Sequence, residues 1–200
     1  MASRREFMQA GAAMATAALP GVSVVTGIGA SLGIYKVIYD QRFTAAQRFG
    51  ATAQDLNANV AAIDGDVHDL WYHDLYHRWK AAPVAIAGMT TFNPMFLLAM
   101  FAQDVGMRLI YRTNHRPARD GAVAHELFGP KTQRRRQDEL RGSEAQWSAA
   151  AAQIVLSWPK DAVSVSKAHS DIAEANRKMV DQQTLLSWII APGQRGGSRC

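Results

Sequence analysis

The stretch "TGIGASLGIYKVIYD", residues 26–40, decides how the chain is read. Gly27, Gly29 and Gly33 stand just ahead of an apolar run that ends in Asp40, where a phosphate-binding loop would put them. A dinucleotide fingerprint needs a strand, then the glycine turn, then a helix whose first N–H groups face the pyrophosphate. Here the glycines lead straight into Ile34, Tyr35, Lys36, Val37, Ile38 and Tyr39, β-branched and aromatic residues that favour a strand. The spacing, G-x-G-x-x-x-G, is also one residue too long for the dinucleotide form. These glycines precede the first strand of the domain and do not cradle a nucleotide.

From that strand onward the pattern alternates. Residues 35–39 form a strand and 42–56 a helix with Phe43, Ala46, Phe49, Ala53 and Leu56 inward. A second strand follows at 59–63, a second helix at 67–80 and a third strand at 84–87. Pro94 suits the first turn of a third helix capped by Asn93 and ended by Gly106, and 107–111 form a fourth strand. Short β-rich runs separated by helices imply right-handed crossovers and a parallel sheet. The expected class is therefore α/β, a three-layer sandwich with a mainly parallel sheet, Rossmann-like but without a dinucleotide fingerprint. The third helix is apolar almost all round between Met95 and Val105, which calls for a second layer or a partner over it.

The second half is less regular. Residues 113–142 hold turn formers and charges with little periodicity and read as a long excursion. A helix is expected at 143–158, capped by Ser143 and stopped by Pro159, and another at 170–180. "TLLSWII", residues 184–190, reads as a last strand, placed at the sheet edge. The domain then spans 32–191, with a flexible tail at 192–200 that ends in Cys200, the one cysteine of the chain.

Upstream of the glycines, "SRREFM" (residues 3–8) is followed by a mild Ala/Gly/Met stretch through Leu19. A twin arginine, a phenylalanine and a weakly apolar segment resemble the export signal of the bacterial twin-arginine (Tat) pathway. The resemblance covers residues 1–31 and implies a removable signal, a periplasmic or exported destination and contact with the Tat machinery. Passengers of that route cross already folded, often with a cofactor or a bound partner. No apolar run reaches the roughly 20 residues of a membrane span. No motif in the mature chain names a cofactor.

Charge is concentrated in one place. Between Arg108 and Arg141 nine Lys/Arg stand against four acids, a net +5 equal to the formal charge of the whole chain. A basic excursion of this kind meets a solvated surface or an acidic partner, and Arg134, Arg135 and Arg136 are its partner-binding candidates. Nucleic acid is excluded on location and on the scarcity of aromatics for stacking.

Two sets of side chains could carry chemistry. "DGDVHDLWYHDLYHRW" (residues 64–79) places His73 and His77 one helical turn apart, a weak metal pair, opposite an apolar stripe of Val67, Trp71, Leu75 and Trp79. The alternative is a solvated helix face. Ligands of open parallel sheets bind outside the carboxyl ends of the strands. The residues expected there are Asp40, Asp66, Gly88, Thr90, Thr91 and Arg112 as ligand-binding groups, with Asp40, Asp66 and His115 as catalytic candidates. Aspartates and threonines also cap helices at such places. Two functions follow: an exported non-catalytic accessory or binding protein, possible companion of a periplasmic redox enzyme, and a small periplasmic enzyme or anion binder using the strand ends.

Overall fold

The computed structural model describes residues 31–118, 122–160 and 184–193. The signal segment, the helix expected at 170–180 and Cys200 lie outside the described residues. Six strands form one sheet: β1 (Ile34–Asp40), β2 (Val60–Ile63), β3 (Ala85–Thr90), β4 (Met107–Pro117), β5 (Val123–Phe128) and β6 (Leu185–Pro192). Among the described residues five α-helices accompany them: α1 (Thr44–Asp55), α2 (His68–Leu70), α3 (Tyr76–Ala81), α4 (Phe92–Asp104) and α5 (Glu144–Leu156). A π-helical turn, Trp71–Leu75, joins α2 to α3, and a 3-10 segment, Lys131–Leu140, precedes α5. No helix among the described residues is long and apolar enough to cross a membrane.

The strand order is β2-β1-β3-β6-β4-β5. β1 pairs in parallel with β2 and β3, as the alternation of strand and helix required. The expectation of a mainly parallel sheet is corrected: β6 runs antiparallel to both β3 and β4, and β5 is antiparallel to β4, so the sheet is mixed. Because β6 opposes both neighbours, β4 points the same way as β3, and the four strands expected to share a direction do share it.

The last strand is not at the edge. Every side chain of β6 from Leu185 to Ala191 is buried, and a strand covered on both faces and paired on both sides belongs in the middle. The excursion at 113–142 is also corrected. β4 runs on to Pro117 and pairs with β5, and the 3-10 segment uses ten more of these residues.

Alternating side chains divide into two cores. Val37, Ala87, Tyr111, Leu185 and Ile189 join α1 and α5 in one. Ile38, Ile86, Leu186, Trp188 and Ile190 join the α2–α3 region and α4 in the other. α1 seats Ala46, Phe49 and Ala53, and Gly50 lies so close to the Tyr39 ring that no side chain fits there. α4 begins two residues earlier than expected, with Thr91 rather than Asn93 at its N-cap, and Pro94 sits in its first turn, where its missing N–H has no helical acceptor to lose. Gly106, at φ 75°, ends it in the left-handed region. α5 starts with a capping box in which Ser143 N donates to Gln146 Oε1 at 2.8 Å.

The close contact of β3 with β6 depends on Gly88. A Cβ there would stand 2.5 Å from the Ile38 carbonyl oxygen and 2.5 Å from Trp188 Cζ2. The backbone of β1 cannot yield without breaking ladder pairing, so overpacking applies in full. Gly88→Ala is expected to cost about 1–3 kcal/mol, read as a lower Tm and an earlier denaturant midpoint.

Candidate functional site

The strand-end residues take structural roles one by one. Asp40 is fully buried and accepts from Arg42 Nε at 2.9 Å, Nη2 at 2.7 Å and the backbone N at 3.2 Å. Asp66 is exposed and accepts from His68 N at 2.9 Å, one residue ahead of the Val67 N-cap of the next helix. Gly88 is the packing point just described. Thr90 Oγ1 accepts from Trp188 Nε1 at 3.0 Å and donates to the Thr91 carbonyl at 2.9 Å. Thr91 caps α4 by position, with no side-chain bond.

Arg112 lies mid-strand rather than at a strand end. Two strands, β3 and β6, separate it from β1, so three strand spacings of about 4.8 Å, roughly 14 Å, part it from the strand of Asp40. Its Nε donates to Asn114 Oδ1 at 2.9 Å and its guanidinium lies 5.1 Å from the Phe128 ring centre. Desolvation pulls its pKa down to about 10, so it keeps its charge at neutral pH. His73 and His77 point outward, with the apolar stripe of the same helix inward as expected. Among the described residues no three metal-ligating side chains converge.

His115 belongs to a different assembly, on the opposite face of β4 from Arg112. Its Nε2 lies 2.9 Å from Ser187 Oγ, and its Nδ1 lies 2.8 Å from Nδ1 of His125, its partner across the β4–β5 pair. Ser187 Oγ is 3.2 Å from Tyr111 Oη, which accepts from Thr113 Oγ1 at 2.9 Å. The Trp147 indole stacks on His115 at 4.6 Å with 22° between the rings, and also touches His125. Tyr111, Thr113 and Ser187 are fully buried and His115 is 3% exposed. β4, β5 and β6 align these side chains because residues two apart on one strand share a face.

One proton per hydroxyl sets the direction of the chain. Thr113 donates to Tyr111, so the Tyr111 proton goes to Ser187 and the Ser187 proton to His115 Nε2. His115 then carries its own proton on Nδ1 and donates it to His125, whose remaining proton sits on Nε2. This tautomer pair is assigned from the network. The ring centroids are 5.0 Å apart while the facing nitrogens are 2.8 Å apart, so the nitrogens lie near the line between the centroids. That is the geometry of one shared proton, not of two lone pairs converging on a metal off the line.

Sequence reasoning singled out His115 but missed Tyr111, His125, Trp147 and Ser187. One signal was present. His115 and His125 flank Asp120-Gly121, a hairpin-favouring dipeptide; a two-residue turn there would set residue 115 opposite 126, one position off the observed His115–His125 register, so the signal pointed to a hairpin but not to the pair. Ser187 had no such signal.

The basic candidates separate. Arg134 and Arg135 are exposed. Arg136 turns inward, donating to Ser157 Oγ at 2.9 Å and lying 6.0 Å from the Trp158 ring centre. An open depression of about 620 Å³ lies beside Ile34, Leu56 and Leu156 at the N-terminal end of β1, away from the histidines.

No family model, curated protein or solved structure matches the chain. Function must be read from the side chains themselves.

Burial, with a smaller push from His125, holds the His115 pKa well below the usual 6.5. The folded protein therefore keeps this ring neutral where the unfolded chain would protonate it. Its contribution to stability is complete above the unfolded value and is lost as pH falls below it, at up to about 1.4 kcal/mol per pH unit for one proton. Unfolding free energy should decline between about pH 7 and pH 5, and His115→Gln should flatten that decline while lowering stability at neutral pH. Denaturant titrations across the range check both slopes.

Proposed function

We propose that this chain is an exported, non-catalytic accessory or binding protein that offers the outer face of α4 to a protein partner. One observation carries the reading. Phe96, Leu97 and Met100, within one turn and a half of α4, are 42%, 41% and 48% exposed, on a helix with no charged side chain before Asp104. Phe92 stacks on Phe96 at 5.5 Å. Trp71 stacks on Phe101 of α4 at 4.4 Å, and Tyr72 and Tyr76, on the same segment as Trp71, are exposed. Grouped exposed apolar and aromatic side chains mark interaction sites rather than solvated surface.

The export signal points to the kind of occupant. A Tat-type passenger crosses folded, so a partner whose own contact surface is apolar and uncharged can bind α4 in the cytoplasm and travel with it to the periplasm. The β2-β1-β3 parallel core, with α1 and α5 in one core and α2 to α4 in the other, supports reading the fold as a three-layer, Rossmann-like sheet. The competing reading is an enzyme working through His115. It would need substrate to reach His115 and Ser187, which are enclosed, and the accessory role is favoured for that reason.

Two experiments test the proposal. Arg4→Lys with Arg5→Lys should leave the protein in the cytoplasm, and unchanged recovery from the periplasm would remove the export route. Native mass measurement of the protein purified from the periplasm should show a second polypeptide. Leu97→Lys with Met100→Lys should weaken that complex by at least about 2 kcal/mol, roughly 30-fold, with Tm unchanged. A monomer, a homodimer, or a partner that the double variant retains equally well would each overturn the assignment of α4.

A further inference from the structure

We propose that the His115–His125 pair is an acid-triggered latch that holds the edge strand β5 on β4 and releases it when the pair takes up protons. The geometry admits one proton between the two facing nitrogens, 2.8 Å apart. A first added proton leaves His115 donating from Nε2 as well, so the Ser187 hydroxyl can no longer donate to it and its proton must turn elsewhere. A second proton sets N–H against N–H across the same gap. Neither state is compatible with the network as built, and both put charge into an enclosed space.

Among the described residues nothing that faces the pair compensates that charge. On the face shared by the two rings, β4 adds Tyr111 and β6 adds Ser187, neither of them anionic at these pH values. α5 presents the Trp147 indole, with Glu144 exposed in its first turn. From the 3-10 segment, Arg136 and Glu139 act on Tyr111, one of each sign. Glu126 is on the other face of β5, within reach of Arg116 at 3.8 Å. Burial lowers the pKa of both histidines, most strongly that of His115.

β5 is the element that gives way. Among the described residues it pairs on one side only, with β4, and Leu127 is its one buried side chain. β1, β3 and β6 are anchored in both cores. Regions with few buried contacts open locally at lower free energy than the whole molecule. His125 is half-buried and stands at the mouth of the chain, so protons enter there. An enclosed Ser187 and His115 meet no substrate, so the assembly works as a switch rather than as a catalytic pair.

Hydrogen exchange on the full chain tests this, corrected for the intrinsic pH dependence of exchange. Amides of 123–128 should lose protection by about tenfold per pH unit for each proton taken up below the histidine range, while amides of 34–40 and 85–90 keep theirs. His125→Asn, which removes one of the two titrating rings, should reduce the pH dependence at β5 by up to about tenfold per pH unit. Imidazole ¹⁵N shifts of the wild type should show both rings titrating together with the exchange change. Equal loss of protection across the whole sheet would overturn the latch in favour of global unfolding. So would an unchanged pH dependence in His125→Asn, or histidine shifts that titrate without any change at β5.

Discussion

The placement of β6 between β3 and β4 is the constraint on which the rest of the structure depends. It pairs antiparallel with β3 on one side and β4 on the other, and its backbone polar groups are satisfied only there. Its side chains alternate between the two cores. Leu186, Trp188 and Ile190 enter one, and Leu185, Ile189 and Ala191 the other. Trp188 bonds to Thr90, 98 residues away in sequence, across the gap that Gly88 leaves for it. Without β6 the parallel trio β2-β1-β3 and the antiparallel pair β4-β5 would be separate ribbons with open edges.

The same strand builds the polar chain. Ser187 is the one polar side chain from β6 on its face, and it stands where Tyr111 and His115 of β4 both reach it. A buried hydroxyl without a partner costs more than the bond itself returns, so such a network holds only when each member is satisfied. Here satisfaction runs in one direction from Thr113 to His125. Small changes of protonation at the outer histidine therefore act on the whole line. The Trp147 indole nitrogen has no partner among the described residues, and the ring contributes by stacking on both imidazoles rather than by bonding.

The surface is organised by the two cores beneath it. The apolar face of α4 overlies the core that holds Trp188, while the 3-10 segment with Arg134 and Arg135 lies against α5 on the other side. The two candidate docking surfaces are thus on opposite faces of the sheet. Arg136, between its two exposed neighbours, anchors the 3-10 segment to Ser157 at the end of α5. Three adjacent arginines on a regular segment point in different directions, and here one of the three is structural.

Local physics made several elements legible without coordinates. The β-branched run after Gly33 could only be a strand, and the stripe Val67, Trp71, Leu75 and Trp79 faces inward as its spacing required. Ser143 and Pro94 mark helix starts because their preferences act within one turn of the chain. Net charge is likewise written in composition, which no folding is needed to read. Tertiary structure alone decided the rest. Strand order depends on which sheet edges meet, and nothing local to "TLLSWII" says that its partners are residues 85–90 and 107–117. An apolar run broken only by Ser187 fits a strand covered on both faces, but it does not name the strands on either side. His115 could be flagged as a titratable residue near a strand end, but its partners come from β5, β6 and α5. Their meeting is a product of register and packing, because side-chain chemistry is set by neighbours in space and the sequence lists only neighbours in the chain.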